Sequence, residues 1–174
     1  MAKVILITGG ARSGKSRLAE KLALDYGEPL LYVATGSPCD GEMTERIRRH
    51  RERRGDAWQT IEEPLALADV LLGHDGYFSA TLVDCVTLWV TNILFHHGEN
   101  PGEALAEVRR LADLFPSLQS PLILVTNEVG MGIVPDNPLA RKFRDLAGEA
   151  NEILAAAADE AYVVFSGLPL KLKG

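Results

Sequence analysis

The chain has 174 residues, 47% of them hydrophobic and 24% charged, and carries a formal net charge of −6 at pH 7. That length suits a single domain over 1–174, with a core large enough to stand without staples. The acidic balance argues against a general nucleic-acid binder, and no apolar run approaches the roughly 18 residues of a membrane span. The first strand is expected within three residues of the N-terminus, so no signal peptide is expected. The two cysteines, Cys39 and Cys85, form no CxxC pair. Reduced thiols in a cytoplasmic protein are therefore expected.

Val4-Ile5-Leu6-Ile7 is a short continuous apolar run and reads as a buried parallel strand. Ser13 to Tyr26 reads as a helix with Leu18, Ala19, Leu22 and Ala23 on one face, closed by Gly27. A second strand is expected over Leu30–Ala34, then a loop, then a polar helix over 41–54 with Met43 and Ile47 on one side. Pro64 is expected to open a helix reaching about Leu72. Ala80–Asp84 reads as the next strand, followed by helices over 86–95 and 101–114 and a strand over 121–126. Asn137-Pro138 is a cap followed by proline at the first helical position. The helix after it carries Leu139, Phe143, Leu146, Ala150, Ile153 and Leu154 at helical spacing. Strands over 162–165 and 168–172 close the chain. Alternating strands and helices predict an α/β fold: a mostly parallel sheet covered by helices on both faces.

Gly9-Gly10-Ala11-Arg12-Ser13-Gly14-Lys15-Ser16 matches G-x-x-x-x-G-K-[ST], between a strand and a helix as a P-loop requires. Its backbone N–H groups and the helix N-terminus suit phosphate oxygens. Lys15 suits the β- and γ-phosphates, and Ser16 suits Mg²⁺. Asp84 ends an apolar strand at the carboxyl edge, where open α/β sheets bind ligands. It suits the magnesium role of a Walker-B acid, or an N-cap for the next helix, and the two are compatible.

From Arg46 to Arg54, six of nine residues are arginine. One basic cluster on an acidic chain points to a small anion. Within it, His50 lies a helical turn from Arg46, Ile47 and Arg54. Those arginines would disfavour its protonation and keep the imidazole available as a nucleophile or base. On spacing alone the favoured reading is a solvated basic helix with an incidental histidine. Asn127-Glu128-Val129-Gly130-Met131-Gly132 reads either as a structural turn or as a substrate loop. His74, His96 and His97 have no metal-ligand spacing and read as surface residues, and Trp58 and Trp89 as packing residues.

Together these segments resemble the bifunctional adenosylcobinamide kinase/adenosylcobinamide-phosphate guanylyltransferase family of cobalamin biosynthesis. The resemblance is carried by Thr8–Ser16, Tyr32-Val33-Ala34-Thr35, Glu42-Met43, Arg46-Ile47-Arg48-Arg49-His50-Arg51 and Trp58. It continues through Val125–Pro135, Arg141–Gly148 and Ser166-Gly167. Between Leu65 and Ser79, and from Gly98 to Ser120, no motif is matched.

The resemblance implies two reactions. The aminopropanol hydroxyl of adenosylcobinamide is phosphorylated by a nucleoside triphosphate, and GMP from GTP then passes to that phosphate with release of pyrophosphate. It implies that the guanylyl group rides on His50, with Lys15 as the second catalytic residue. It further implies a nucleotide site for GTP and ATP formed by Gly9, Gly10, Ala11, Arg12, Ser13, Gly14, Lys15 and Ser16. Ala34, Thr35, Gly36, Arg51, Glu52, Arg53, Arg54, Glu62 and Asp84 complete that implied site, with Mg²⁺ on Ser16 and Asp84. The implied partners are adenosylcobinamide and its phosphate, and the implied assembly is a homotrimer. A plain small-molecule P-loop kinase and a non-catalytic nucleotide-dependent module are the competing readings of the same P-loop.

Overall fold

A computed structural model describes residues 2–36 and 55–174. The helix expected over 41–54, with His50 and the arginine cluster, and Cys39 lie outside the described residues. Seven strands form one sheet in the order β3-β2-β4-β5-β1-β6-β7. They are β1 Val4–Gly9, β2 Leu30–Ala34, β3 Trp58–Glu62, β4 Ala80–Asp84, β5 Leu122–Val125, β6 Glu160–Phe165 and β7 Leu168–Lys173. Every pairing is parallel except β6 with β7. The described helices are α1 Lys15–Leu24, α2 Leu67–His74, α3 Val86–His96, α4 Pro101–Leu114 and α5 Pro138–Ala157.

Alternation along the strands separates two cores, because successive side chains of a strand point to opposite faces. Ile5, Ile7, Tyr32, Leu82, Ile123 and Val125 pack with Ala19 and Ala23 of α1. Val4, Leu6, Leu31, Val33, Leu122 and Leu124 pack with α2, α3, α4 and α5 on the other face. Trp89 of α3 is buried there, and its indole N–H donates to Leu65 O at 2.9 Å, so the ring's one polar atom is satisfied. Trp58 packs edge-on to Tyr32 at 6.2 Å. Both tryptophans are packing residues, as expected.

The two best-signalled helices start where their caps put them. The side chain of Asn100 accepts from Gly102 N, and that of Asn137 accepts from Leu139 N and Ala140 N, each followed by proline at the first helical position.

Two expectations are corrected. Trp58–Glu62 is a strand at the sheet edge, paired in parallel with β2, and the sequence reading assigned none there. The helix after Pro64 begins at Leu67, because the Glu63 carboxylate accepts from Leu65 N and Ala66 N, each at 2.8 Å, and holds residues 64–66 in a turn. The last strand runs antiparallel to β6. Ser166 and Gly167 both have positive φ, 50° and 83°, as a two-residue hairpin turn of primed type requires.

Candidate nucleotide site

Register brings the candidate residues to one edge. Ile7 pairs with Val125, Val125 with Asp84, Asp84 with Ala34, and Ala34 with Glu62. These five residues form one row across five adjacent parallel strands. The segments that leave this row at its carboxyl side are the P-loop, the 126–135 loop, the start of α3 and the 35–36 segment. This is the edge at which open parallel sheets bind ligands.

The P-loop leaves β1 at Gly9, whose φ is 147°. A Cβ there would lie 2.5 Å from Val164 O, so only glycine lets the chain turn so close to β6. Gly14, at φ 102°, is the N-cap of α1. The loop is braced from outside, since Gly167 N donates to Ser13 O at 2.7 Å. The closing Ser166-Gly167 turn therefore supports the phosphate loop. Gly10 and Ala11 form its outer part with Arg12, which holds a positive φ of 54°. Lys15 is buried, and its ammonium donates to Gly10 O at 2.5 Å and to Ser13 Oγ at 3.4 Å. The lysine thus lies across the mouth of its own loop.

Ser16 Oγ donates to Asp84 Oδ2 at 2.7 Å. Ser16 stands in the first turn of α1, which follows β1, whereas Asp84 ends β4, and β5 lies between β1 and β4 in the sheet. The N-cap of α3 is Cys85, so the Asp84 carboxylate serves Ser16 and does not cap the helix. A hydroxyl beside a carboxylate at the head of a P-loop is a hard oxygen pair. It suits Mg²⁺, which takes one or two protein oxygens and completes its octahedron with phosphate oxygens and water. Among the described residues no group of three or more His, Cys, Asp or Glu could hold a metal by itself, and the three described histidines belong to no such group.

The segment after β2 is fixed by buried hydrogen bonds. Thr35 Oγ1 donates to Cys85 O at 2.7 Å and accepts from Cys85 N at 3.0 Å. The side-chain amide of Asn92 donates to Thr35 O at 2.8 Å and to Pro64 O at 3.1 Å. Asn92, which the sequence reading did not single out, thus ties α3 to the segments after β2 and β3. Burial and the neighbouring Asp84 charge push the Cys85 thiol up to about 11, so it is an inert core group. Gly36 packs close to Leu88, where a Cβ would lie 3.2 Å from Leu88 Cδ1. Glu62 ends β3 exposed at the far side of the row.

The 126–135 loop is also anchored, a role the sequence left open. Glu128 N donates to Gly9 O at 3.0 Å. Thr126 Oγ1 donates to Asn151 Oδ1 at 2.7 Å, and Asn127 N donates to Thr87 Oγ1 at 2.7 Å. Arg144 of α5 donates to Gly130 O at 2.8 Å. These bonds hold the root of the loop, while its tip exposes Met131 and Ile133.

The structure thus assembles Gly9–Ser16, Ala34–Gly36, Glu62 and Asp84 along one edge. His50, Arg51, Glu52, Arg53 and Arg54 lie outside the described residues.

Comparison with known proteins bears on the fold and on the family. Among solved structures, the chain is similar to the flagellar accessory protein FlaH from Methanocaldococcus jannaschii, with a TM-score of 0.53 at 16% identity over 98% of this chain and 78% of that one. It is similar also to the P4 protein of bacteriophage phi6 in complex with ADP, with a TM-score of 0.51 at 18% identity over 97% of this chain and 52% of that one. At these identities the likeness shows the fold, an α/β fold of the P-loop class. By sequence, the chain is 46% identical to the bifunctional adenosylcobalamin biosynthesis protein CobU of Salmonella typhimurium, covering 98% of this chain and 99% of the relative. It is 44% identical to the CobU protein of Escherichia coli K12 over the same shares. It is also 44% identical to the bifunctional adenosylcobalamin biosynthesis protein CobP of Pseudomonas aeruginosa, covering 97% of this chain and 96% of that one. The family model described as cobinamide kinase / cobinamide phosphate guanyltransferase matches residues 5–172. The chain therefore belongs to the cobinamide kinase / cobinamide phosphate guanyltransferase family of bifunctional transferases, as the resemblance of its motifs implies.

Proposed function

We propose that this chain phosphorylates the aminopropanol hydroxyl of adenosylcobinamide with ATP or GTP. It then transfers GMP from GTP to that phosphate through a guanylyl group on His50, giving adenosylcobinamide-GDP. The observation that carries this reading is the Ser16–Asp84 contact at 2.7 Å at the head of the P-loop, in a chain that the family model matches over 5–172.

Each residue has a role that follows from its chemistry. Amides of Gly10–Lys15 and the start of α1 bind the polyphosphate. Lys15 swings from Gly10 O to the β- and γ-phosphates and neutralises charge as the γ-phosphoryl group moves. Ser16 and Asp84 would hold Mg²⁺, which would supply Lewis-acid charge neutralisation to the polyphosphate. The segment Ala34–Gly36 and Glu62 line the nucleoside side of the same edge. Arg51, Arg53 and Arg54, with Glu52 among them in sequence, neutralise the triphosphate.

The second reaction is a displacement at the α-phosphorus. A neutral His50 nitrogen attacks, pyrophosphate leaves, and a phosphoramidate holds GMP until the cobinamide phosphate oxygen displaces the imidazole. The arginines keep His50 neutral and stabilise the leaving pyrophosphate.

The assembly is a homotrimer in a cytoplasmic setting. The family resemblance supports it, and Phe165 at the end of β6 with Leu168, Leu170 and Leu172 of β7 expose apolar surface that suits an interface between copies. Among the described residues no helix is long and apolar enough to cross a membrane.

Incubation of the protein with Mg²⁺, α-labelled GTP and adenosylcobinamide tests the reading. Phosphorylated and then guanylylated corrinoid, with transient label on protein, is expected. Turnover to the phosphate with no label on either protein or corrinoid would leave a plain kinase.

A further inference from the structure

A kinase acceptor must lose a proton as its oxygen attacks phosphorus, and the roles above assign no residue to that proton. Four described acids lie at the carboxyl edge of the sheet. Asp84 is engaged by Ser16 Oγ. Glu63 follows directly on β3, the edge strand on the far side of β2, β4 and β5 from the P-loop strand. Glu62 ends β3, four strands from the P-loop strand in the order β3-β2-β4-β5-β1. Glu128 leaves β5, the strand beside β1, and its backbone N–H donates to the carbonyl of Gly9, the first P-loop residue.

Two further observations bear on Glu128. Its Oε1 accepts from Gly130 N at 2.5 Å, and Arg144 holds Gly130 O at 2.8 Å, so its loop is tied to α5 and the carboxylate is positioned. The residues that follow it expose apolar side chains: Met131 is 74% exposed and Ile133 97% exposed. An apolar loop tip beside a phosphate cradle suits an acceptor that is itself a large ring system with an attached alcohol.

We propose that Glu128 is the general base of the kinase step and takes the proton of the acceptor hydroxyl. This rests on the kinase reading above. The hydroxyl oxygen forms a bond to the γ-phosphorus. The bond from that phosphorus to the β,γ-bridging oxygen breaks, and its electron pair leaves on the nucleoside diphosphate. The hydroxyl proton moves to the Glu128 carboxylate and is released to water before the next turnover. Positioned general bases contribute about 10²–10⁴-fold.

The test is the cobinamide kinase rate of wild type, Glu128→Gln and Glu128→Asp against pH, with nucleotide affinity measured in parallel. Gln keeps a side-chain oxygen for Gly130 N–H, so the loop's own bond survives while the base is removed. Glu128→Gln is expected to lose roughly 100-fold in kcat, to lose the acid limb of the pH profile and to bind nucleotide as wild type does. Glu128→Asp is expected to recover part of the rate together with that limb. Glu128→Gln turnover within threefold of wild type, a retained acid limb, or a matching loss of nucleotide affinity would each overturn the assignment. Absence of kinase turnover in wild type would instead strike the functional reading beneath it.

Discussion

Ser16 Oγ and Asp84 Oδ2 stand 2.7 Å apart although 68 positions separate them in sequence. A hydrogen bond to a charged group contributes about 1.5–3 kcal/mol, yet a serine that opens a helix needs no such partner for stability. The pair makes chemical sense as two oxygens set around one small cation. Asp84→Asn should therefore raise the Mg²⁺ concentration needed for half-maximal turnover, by roughly 10–100-fold as for lost metal-site interactions, with a melting temperature close to wild type. A magnesium titration checks this, and an unchanged requirement would leave Asp84 a structural acceptor only.

Lys15 is buried at the mouth of the phosphate loop and bonds Gly10 O. Its removal should leave the sheet intact, since the core contacts of α1 come from Ala19 and Ala23. Lys15→Ala is expected to lower kinase turnover by about 10²–10³-fold, the range for one preorganised electrostatic donor, with the circular dichroism of wild type. Kinase turnover of wild-type magnitude in a folded Lys15→Ala protein would remove Lys15 from the reaction.

Glu160 predicts how the fold responds to acid. Its Oε1 accepts from Lys171 at 2.8 Å and pairs with Lys3 at 2.7 Å, and its Oε2 accepts from Tyr162 Oη at 2.9 Å. The Lys171 and Lys3 bonds hold the carboxylate down at about 2, against an ordinary value of 4.5. A depressed folded-state value contributes stability that is present above the unfolded value and lost as pH falls through the folded one. Wild type should thus be more stable than Glu160→Gln at pH 6, and the gap should close between pH 4.5 and about 2. Urea midpoints at several pH values measure it, and a gap independent of pH would assign the effect to packing.

Much of the fold was legible because its signals are local. Asn100-Pro101 and Asn137-Pro138 place two helix starts where the structure has them, and continuous apolar runs mark β1, β2, β4 and β5. β3 was missed because Trp58-Gln59-Thr60-Ile61-Glu62 is a short edge strand, partly exposed on both faces, with no apolar run to announce it. The helix start after Pro64 moved because the Glu63 carboxylate occupies the first amides. Within the site, the P-loop and Asp84 could be read directly, since strand ends mark the carboxyl edge. The anchoring of Glu128 to Gly9 could not be read, because it arises from the adjacency of β1 and β5 and not from spacing in the chain. His50 and its arginines carry their assignment on motif alone, since they lie outside the described residues.

That assignment is the centre of the account, and intact-protein mass measures it most directly. Wild-type protein and His50→Ala are each incubated with GTP and Mg²⁺ with no corrinoid present. Wild type is expected to gain the mass of one guanylyl group, in a linkage labile to acid and more durable in base, because protonation makes the nitrogen a better leaving group. His50→Ala should gain nothing and lose guanylyl transfer, while keeping at least part of its kinase activity. The same mass gain in His50→Ala, or full guanylyl transfer by that variant, would contradict it.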